Sequence, residues 1–294
     1  MRPKRRALAF RLRRDRRVVR LEDFTDEEMA LIAGAEAPAV EPQPVKQMTD
    51  LDNLRTLHEH EEKLRAESIA IVNVDPNLVE TLMIVANGMN LVFGFTHDYE
   101  HQTDDELTLQ YLGLRLFNLA GSSIKLALSG YAQQAFSMTR EILELSFLLD
   151  HFRTAPKKIS AWKKASNKEL RQQFSPFEVR KYINKRDGLK QDRRGEVYAL
   201  LSQYASHPTY AGFALTMREG MGELGPFVQE KQLRAWLQEM GLRFVPGAAI
   251  FGEMFPNAPA ALQVQRRAYE AQVIGWRQKQ LSKPSAKFAS EATP

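Results

Sequence analysis

The sequence predicts an all-α protein, and three observations support this fold class. Among the 294 residues, leucine and alanine total 66, whereas valine and isoleucine total 25. Leucine and alanine favour helices, and β-branched residues favour strands. Helix-capping patterns recur along the chain, and apolar residues recur at intervals of three and four, the spacing of one helix face. We therefore expect an antiparallel helical bundle with extra flanking helices.

The charged residues divide the chain into a basic arm and a mildly acidic body. Residues 1–20 hold nine Arg, one Lys and one Asp, a net charge of +9, whereas the whole chain carries +5. The remainder therefore sums to −4. A linker with three prolines follows the arm. We predict a disordered arm and linker over 1–49, one helical domain over 50–282 with its core at about 104–209, and a disordered tail over 283–294.

Helix boundaries in the first half follow from capping residues. A helix is predicted over 50–73, and Asp75-Pro76 is typical of an N-cap followed by proline. Thr103, with a glutamate three residues later, predicts a capping box. Ser129-Gly130 predicts a helix end and a tight turn. The next helix carries a seam of apolar residues spaced by three and four: Ala135, Met138, Ile142, Leu145, Leu149 and Phe152. Two long antiparallel helices are therefore expected to form an αα-hairpin.

The second half of the sequence predicts several short helices followed by three longer ones. Residues 154–188 are interrupted by prolines and by Ser-Asn, Ser-Pro and Asp-Gly pairs, which favour helix starts and ends. A fourth bundle helix is expected over 192–206, ending before Pro208. After a glycine-rich bend, helices are predicted over 227–240 and 259–281.

Several classes of protein are excluded or disfavoured by composition. The chain has no cysteine, which excludes a disulfide scaffold, thiolate metal sites and a cysteine nucleophile and fits a reducing cytoplasm. The glycine-rich phosphate-binding motifs and the G-x-S-x-G motif are absent, and we expect no cofactor. Residues 81–97 carry no Asp, Glu, Lys or Arg, but this stretch is short for a membrane span, so a buried helix is predicted.

One candidate site lies on the predicted helix that carries the apolar seam. Arg140, Glu144 and His151 share one of its faces, and Ser137 lies nearby. Arginine is suited to holding a phosphate or carboxylate, and Glu and His are suited to moving protons. The alternative is an Arg–Glu pair that is solvated or belongs to a satisfied buried network. That structural interpretation is favoured.

A second candidate site lies at the end of the fourth bundle helix. Tyr198 and Ser202 lie on this helix, and His207 follows just before Pro208. A histidine at the negative end of a helix is favoured in its protonated form, as a general acid or a phosphate contact would be. The alternative, which spacing alone favours, is a helix end stopped by the proline.

The remaining histidines do not predict a metal site. His97 and His101 stand four apart with Glu100 between them, and three such ligands are suited to Zn²⁺. The stretch lies at a predicted helix end, however, and lacks the H-E-x-x-H order of metalloproteases. His58 and His60 lie among glutamates and are expected to be solvated.

The basic arm is the candidate contact for nucleic acid or another anionic partner. Arginines are suited to phosphate contacts, which depend on salt. The residues are Arg5, Arg6, Arg11, Arg13, Arg14, Arg16 and Arg17, flanked by Arg2, Lys4 and Arg20. An acidic protein surface is another candidate partner. A solubilising tail, or a start codon assigned too far upstream, would account for the same residues. Base stacking is not expected, because Phe10 is the only aromatic residue there.

Residues 107–209 resemble a family of bacterial helical-bundle proteins that is itself similar to the HEPN superfamily (higher eukaryotes and prokaryotes nucleotide-binding). The residues that carry this resemblance are 126–131, 135–144, 198–202 and His207-Pro208. The resemblance implies a HEPN-like core and is compatible with a homodimer. It also implies a possible function, because many HEPN proteins are ribonucleases of toxin or phage-defence systems. HEPN nucleases place an Arg shortly before the His at a helix end. Here Leu201, Ser202 and Gln203 occupy those positions.

The sequence is compatible with three functions, and it leaves open whether the chain is an enzyme. The first is a cytoplasmic binding or interaction module, in a stress or defence context. The second is a divergent HEPN-like ribonuclease or phosphotransfer enzyme that uses Arg140, Glu144, Tyr198 and His207. The third is a bundle that binds a small molecule between its helices.

Overall fold

The computed structural model describes residues 52–281, and this part of the chain is all-α as predicted. The helices of this part are α1 Asp52–Asn73, α2 Pro76–Phe93, α3 Asp104–Leu128, α4 Ala132–Thr154, α5 Lys157–Lys164, α6 Asn167–Gln173, α7 Pro176–Arg186, α8 Arg193–Leu201, α9 Glu230–Glu253 and α10 Ala260–Leu281. Shorter elements are two π-helical turns, Gly94–Asp98 and Ser202–Ser206, a 3-10 helix, Tyr210–Leu215, and a hairpin of β1 Met217–Arg218 with β2 Met221–Gly222.

The chain separates into two units, Met1–Arg55 and Thr56–Pro294. Everything described below lies in the second unit. The arm and the tail lie outside the described residues, so their predicted disorder and the domain boundaries at 50 and 282 stay predictions.

Helices α3 and α4 form the predicted hairpin, and α4 is the central helix. It packs against α3 and α9, and also against α7 and α8. Within the predicted seam, Ile142 and Leu149 are fully buried. The turn between the helices depends on Gly130, whose φ is 87°. A Cβ atom at this position would also lie 2.7 Å from the backbone nitrogen of Phe227. The turn therefore requires glycine.

Helix α9 differs most from the sequence prediction. It begins three residues later than the predicted 227 and continues to Glu253, through Pro246, whereas the pattern predicted an end at 240. A proline inside a helix removes one backbone hydrogen bond and disturbs the preceding turn. Two other carbonyls in the turn before the proline accept side-chain donors: Ser146 Oγ lies 3.1 Å from the oxygen of Arg243, and Tyr269 OH lies 3.5 Å from that of Val245. Burial of the apolar face of α9 against α2 and α4 thus outweighs the local helix-breaking signal.

The start of α3 also differs in detail from a capping box. Thr103 Oγ1 accepts the backbone N–H of Glu106 at 3.1 Å, as predicted. The Glu106 carboxylate, however, accepts from the backbone N–H of Gln102 at 2.6 Å and from the hydroxyl of Tyr99 at 3.1 Å. Gln110 donates to the Tyr99 carbonyl at 2.7 Å. These bonds hold the segment after the first π-helical turn over the start of α3.

The short helices before α8 begin at the serines that the sequence indicated. Ser166 and Glu169 form a complete capping box at α6, and Ser175 caps α7 ahead of a proline. Helix α8 begins at Arg193 and continues as a π-helical turn to Ser206, which together match the predicted helix over 192–206. The fold therefore places α7 and α8 side by side against the central helix.

Helix α2 and the following π-helical turn, Pro76–Asp98, are long and apolar enough to cross a membrane by length and composition. Half of the most apolar window is buried inside the protein, and core helices of soluble proteins meet the same criterion. Leu91, Val92 and Phe95 have no exposed surface.

Candidate functional site

A polar stripe along α4 faces the chain segment that begins at α8. It consists of Gln133, Ser137, Arg140 and Glu144, whose spacings of four, three and four place them on one helix face. Ser137 Oγ lies 3.2 Å from Ser206 Oγ, and Gln133 donates to the carbonyls of Tyr204 and Gly212, each at 3.4 Å. The segment 198–212 therefore runs along the stripe in the opposite direction to α4.

Arg140 is the centre of this contact. Its Nε donates to Ser202 Oγ at 2.8 Å, and its Nη2 donates to the Tyr198 hydroxyl. Nη2 also lies 2.9 Å from Glu144 Oε1, one turn along the same helix. The Tyr198 hydroxyl donates to Glu144 Oε1 at 2.8 Å. Three of the four residues proposed for an enzyme site are thus brought together, and Ser202 joins them.

Tyr198 both accepts and donates through one hydroxyl group. Burial raises its pKa, the bond to Glu144 raises it further, and the bond from Arg140 opposes these effects. The phenol therefore keeps its proton at neutral pH and acts as a hydrogen-bond relay between the guanidinium and the carboxylate. It does not act as a base there.

Arg180 of α7 joins the same tyrosine, and the sequence did not indicate it. Its guanidinium carbon lies 4.3 Å from the centroid of the Tyr198 ring, and that of Arg140 lies 4.8 Å from it. Arg180 is only 7% exposed, and its Nε and Nη1 are buried without a hydrogen-bond partner. We call Arg140, Glu144, Tyr198, Ser202 and Arg180 the Arg140 cluster. It contains two cations and one carboxylate.

His207 lies beside this cluster and not within it. Its backbone N–H donates to the carbonyl of Ser202 at 2.9 Å, which closes the second π-helical turn. Its side chain is exposed and makes no hydrogen bond or ion pair with any residue in the described part of the chain. The helix-end interpretation of His207 therefore accounts for its position.

His151 does not share a site with Arg140. Eleven residues of helix place it about 16 Å further along the axis, where it is 3% exposed. Its ring meets that of Tyr182 edge-on at 4.4 Å and that of Phe174 at 6.3 Å. Burial lowers its pKa, as does the nearby charge of Lys158. Its Nδ1 is buried without a partner, which fits a neutral core histidine.

The residue before it, Asp150, carries a second polar network that the sequence did not predict. Asp150 is 8% exposed and accepts from Arg186 and Arg153, each at 2.8 Å. Arg186 also pairs with Asp187 at 2.7 Å, and Asp187 pairs with Arg194 at 2.6 Å. We call these residues the Asp150 network. A carboxylate in the last turns of a helix opposes the helix dipole, and this was the signal available in the sequence.

The other histidines stay at the surface. His97 stacks on Phe93 at 4.8 Å and pairs with Asp98 at 2.8 Å, and His101 is exposed. His58 pairs with Glu61 at 3.2 Å. Within residues 52–281, no three His, Asp or Glu side chains are grouped so that they could hold a metal ion.

Comparisons with protein-family models, curated proteins and solved structures found no match for this chain. The Arg140 cluster offers hydrogen-bond donors and excess positive charge, both suited to holding an anionic group. The arginines of the arm, Arg5 to Arg17, lie outside the described residues.

Proposed function

We propose that this chain is a non-enzymatic binding module whose ligand presents an anionic group to the Arg140 cluster. One observation carries this proposal: Arg140 and Arg180 lie against the same tyrosine ring, and within residues 52–281 Glu144 is the one carboxylate that pairs with either of them. Like charges held close together in a partly buried place are unfavourable unless a negative group is supplied. A ligand that supplies it gains the corresponding free energy on binding.

The chemistry of the cluster supports binding more than catalysis. Glu144 is engaged by both Arg140 and Tyr198, and the phenol holds its proton. His207, the best general acid in the sequence, points its side chain into solvent. The donors of the cluster are therefore suited to holding a group, whereas its carboxylate and its two hydroxyl groups are already engaged by Arg140 or by one another.

A thermal-shift panel tests the proposed function. Full-length protein is heated with neutral, cationic and acidic small molecules and with short oligonucleotides at one ionic strength. We expect acidic compounds alone to raise the unfolding temperature, and Arg140→Ala to lose that response. Arg171→Ala, at an exposed arginine, is the control. An acidic response of equal size in the Arg140→Ala and Arg171→Ala proteins would contradict the proposal.

A divergent HEPN-like ribonuclease or phosphotransfer enzyme is the second candidate. It is favoured by one observation, that Arg140, Glu144 and Tyr198 meet and that His207 directly follows the turn carrying Ser202. Such an enzyme would cleave labelled RNA, and Arg140→Ala and His207→Ala would each abolish the cleavage. Undiminished cleavage by both variants would trace the activity to a contaminant.

We also propose the basic arm as a separate contact for nucleic acid or an acidic protein surface. The supporting feature is the charge of +9 in residues 1–20. A gel-shift and pull-down series over salt, with and without these residues, tests it. Binding that weakens with salt and disappears on deletion is expected. Unchanged binding by the truncated protein would remove any role for the arm.

A further inference from the structure

Arg180 differs from the other part-buried arginines of the described chain. Six others each have a carboxylate oxygen within 3.0 Å, namely Arg140, Arg186, Arg194, Arg234, Arg243 and Arg266. Arg180 is a buried residue with no ion pair. The fold thus pairs its part-buried guanidinium groups as a rule, and Arg180 is the exception among these seven.

Neither its own helix nor its neighbours supply the missing negative charge. The positions three and four residues away along α7 are Pro176, Phe177, Ile183 and Asn184, none of which is acidic. On the central helix, Glu144 is engaged by Arg140 and Tyr198, and Asp150 is engaged by Arg186 and Arg153. Within residues 52–281, no carboxylate forms an ion pair with Arg180. The unpaired charge is therefore a property of this place in the fold.

We propose that Arg180 anchors a site for a single carboxylate group, a more specific form of the proposed function, on which it rests. Two cations and one carboxylate leave an excess charge of +1, which a monoanion neutralises and a dianion would exceed. The Tyr198 ring covers one face of the guanidinium at 4.3 Å, and the N–H donors along its edges include Nε and Nη1, which are buried without a partner. A planar carboxylate matches such an edge. The small exposed fraction of Arg180 limits the approach to a small group on a narrow chain.

The test uses full-length protein and the simplest probes of the class. Unfolding temperatures are measured in formate and acetate, in phosphate and sulfate, and in chloride, all at equal ionic strength. The variants are Arg180→Met, which keeps the length of the side chain without its charge, and Arg171→Met at an exposed position of α6. Arg180→Lys, which keeps the charge but loses the planar fork, completes the set.

We expect formate and acetate to raise the unfolding temperature of the wild type and of Arg171→Met above their values in chloride. Arg180→Met should lose this rise, and Arg180→Lys should keep only part of it. In chloride, Arg180→Met should be at least as stable as the wild type, because an unpaired buried charge has been removed. An equal carboxylate response in the wild type and Arg180→Met would overturn the inference.

A second measurement, on wild-type protein, tests the inference even if Arg180→Met fails to fold. In ¹⁵N-labelled wild-type protein, the Arg180 Nε–H resonance, assigned through Arg180→Lys, should shift with acetate and saturate. A resonance that does not move would overturn the inference. Acidic ligands that bind through Arg140 while Arg180 does not respond would leave the proposed function standing. A panel in which no acidic compound has an effect would remove both.

Discussion

The central helix α4 carries two part-buried polar networks, and they balance charge differently. In the Asp150 network, Asp150 and Asp187 face Arg153, Arg186 and Arg194, and Glu253 also pairs with Arg153 at 3.3 Å. Three carboxylates thus meet three guanidinium groups. In the Arg140 cluster, two guanidinium groups meet one carboxylate and one tyrosine ring. The comparison shows that similar side chains on one helix form a charge-balanced network near its C-terminal end and leave an excess positive charge near its middle.

The largest effect that would test this comparison is the loss of Asp150. Asp150→Ala leaves Arg186 without its best partner and Arg153 with only Glu253. Removing one partner of a buried pair is strongly destabilising, and because both arginines are partly exposed we expect about 2–3 kcal/mol. The free energy of unfolding in urea measures it. Asp98→Ala, which removes an exposed carboxylate, should cost far less.

A double-mutant cycle separates the pair from the loss of packing. Arg186→Met removes the charge that Asp150→Ala would otherwise strand. If the Asp150 network is a balanced tie, the double variant should be more stable than the sum of the two single changes predicts. Strict additivity would mean that the two side chains do not interact, against the 2.8 Å distance between them.

A smaller effect is expected when the Tyr198 hydroxyl is removed. Tyr198→Phe loses the bonds to Glu144 and from Arg140 but keeps the ring that lies over Arg180. We expect a cost of about 1 kcal/mol, since the partners stay partly solvated. The carboxylate response assigned to Arg180 should persist in this variant. Its loss would show that the hydroxyl, and not the stacked guanidinium, holds the anion.

The smallest effect is a dependence of stability on pH that comes from two adjacent residues at the C-terminal end of α4. Burial lowers the pKa of His151, so the unfolded chain binds a proton more readily than the folded one. Stability should therefore be complete above the unfolded value of about 6.5 and fall as the pH drops below it. His151→Phe should flatten the curve between pH 7 and 5. Identical slopes in both proteins would exclude His151 as the cause.

Asp150 should act in a separate, more acidic window. Burial would raise its pKa, but the hydrogen bonds from Arg186 and Arg153 outweigh burial and lower it. Its contribution is therefore present above the unfolded value of about 3.9 and is lost only as the pH falls further. In His151→Phe protein, the part of the remaining loss of stability that depends on Asp150 should begin below this value.

The sequence was sufficient for most helices because their signals are local. Four helix starts are marked by side chains that accept hydrogen bonds from backbone amides two or three residues away: Asp75, Thr103, Ser166 and Ser175. The prediction for α9 was wrong in its end because the helix continues past 240 and through Pro246, where its packing against neighbouring helices outweighs the local effect of the proline.

Only some of the contacts in the candidate site could be predicted from local sequence patterns. Arg140 and Glu144 pair at i and i+4, which any helix dictates. Tyr198 and Ser202 were recognised on a second helix, but their bonds to Arg140 cross 58 and 62 residues of chain. No signal in the sequence indicated Arg180, because what distinguishes this residue is the lack of an ion pair within residues 52–281. That lack depends on which helices surround it.

By itself, therefore, the sequence determined the helical class, most helix boundaries and the division between a basic arm and an acidic body. These follow from propensity, capping and charge, which act over a few residues or depend only on composition. The tertiary structure alone decided which charges are balanced. In the folded chain, Asp150 pairs with Arg186, His151 and His207 lie outside the Arg140 cluster, and Arg180 lies within it. Charge balance in a buried place depends on which helices meet, and no local pattern contains that information.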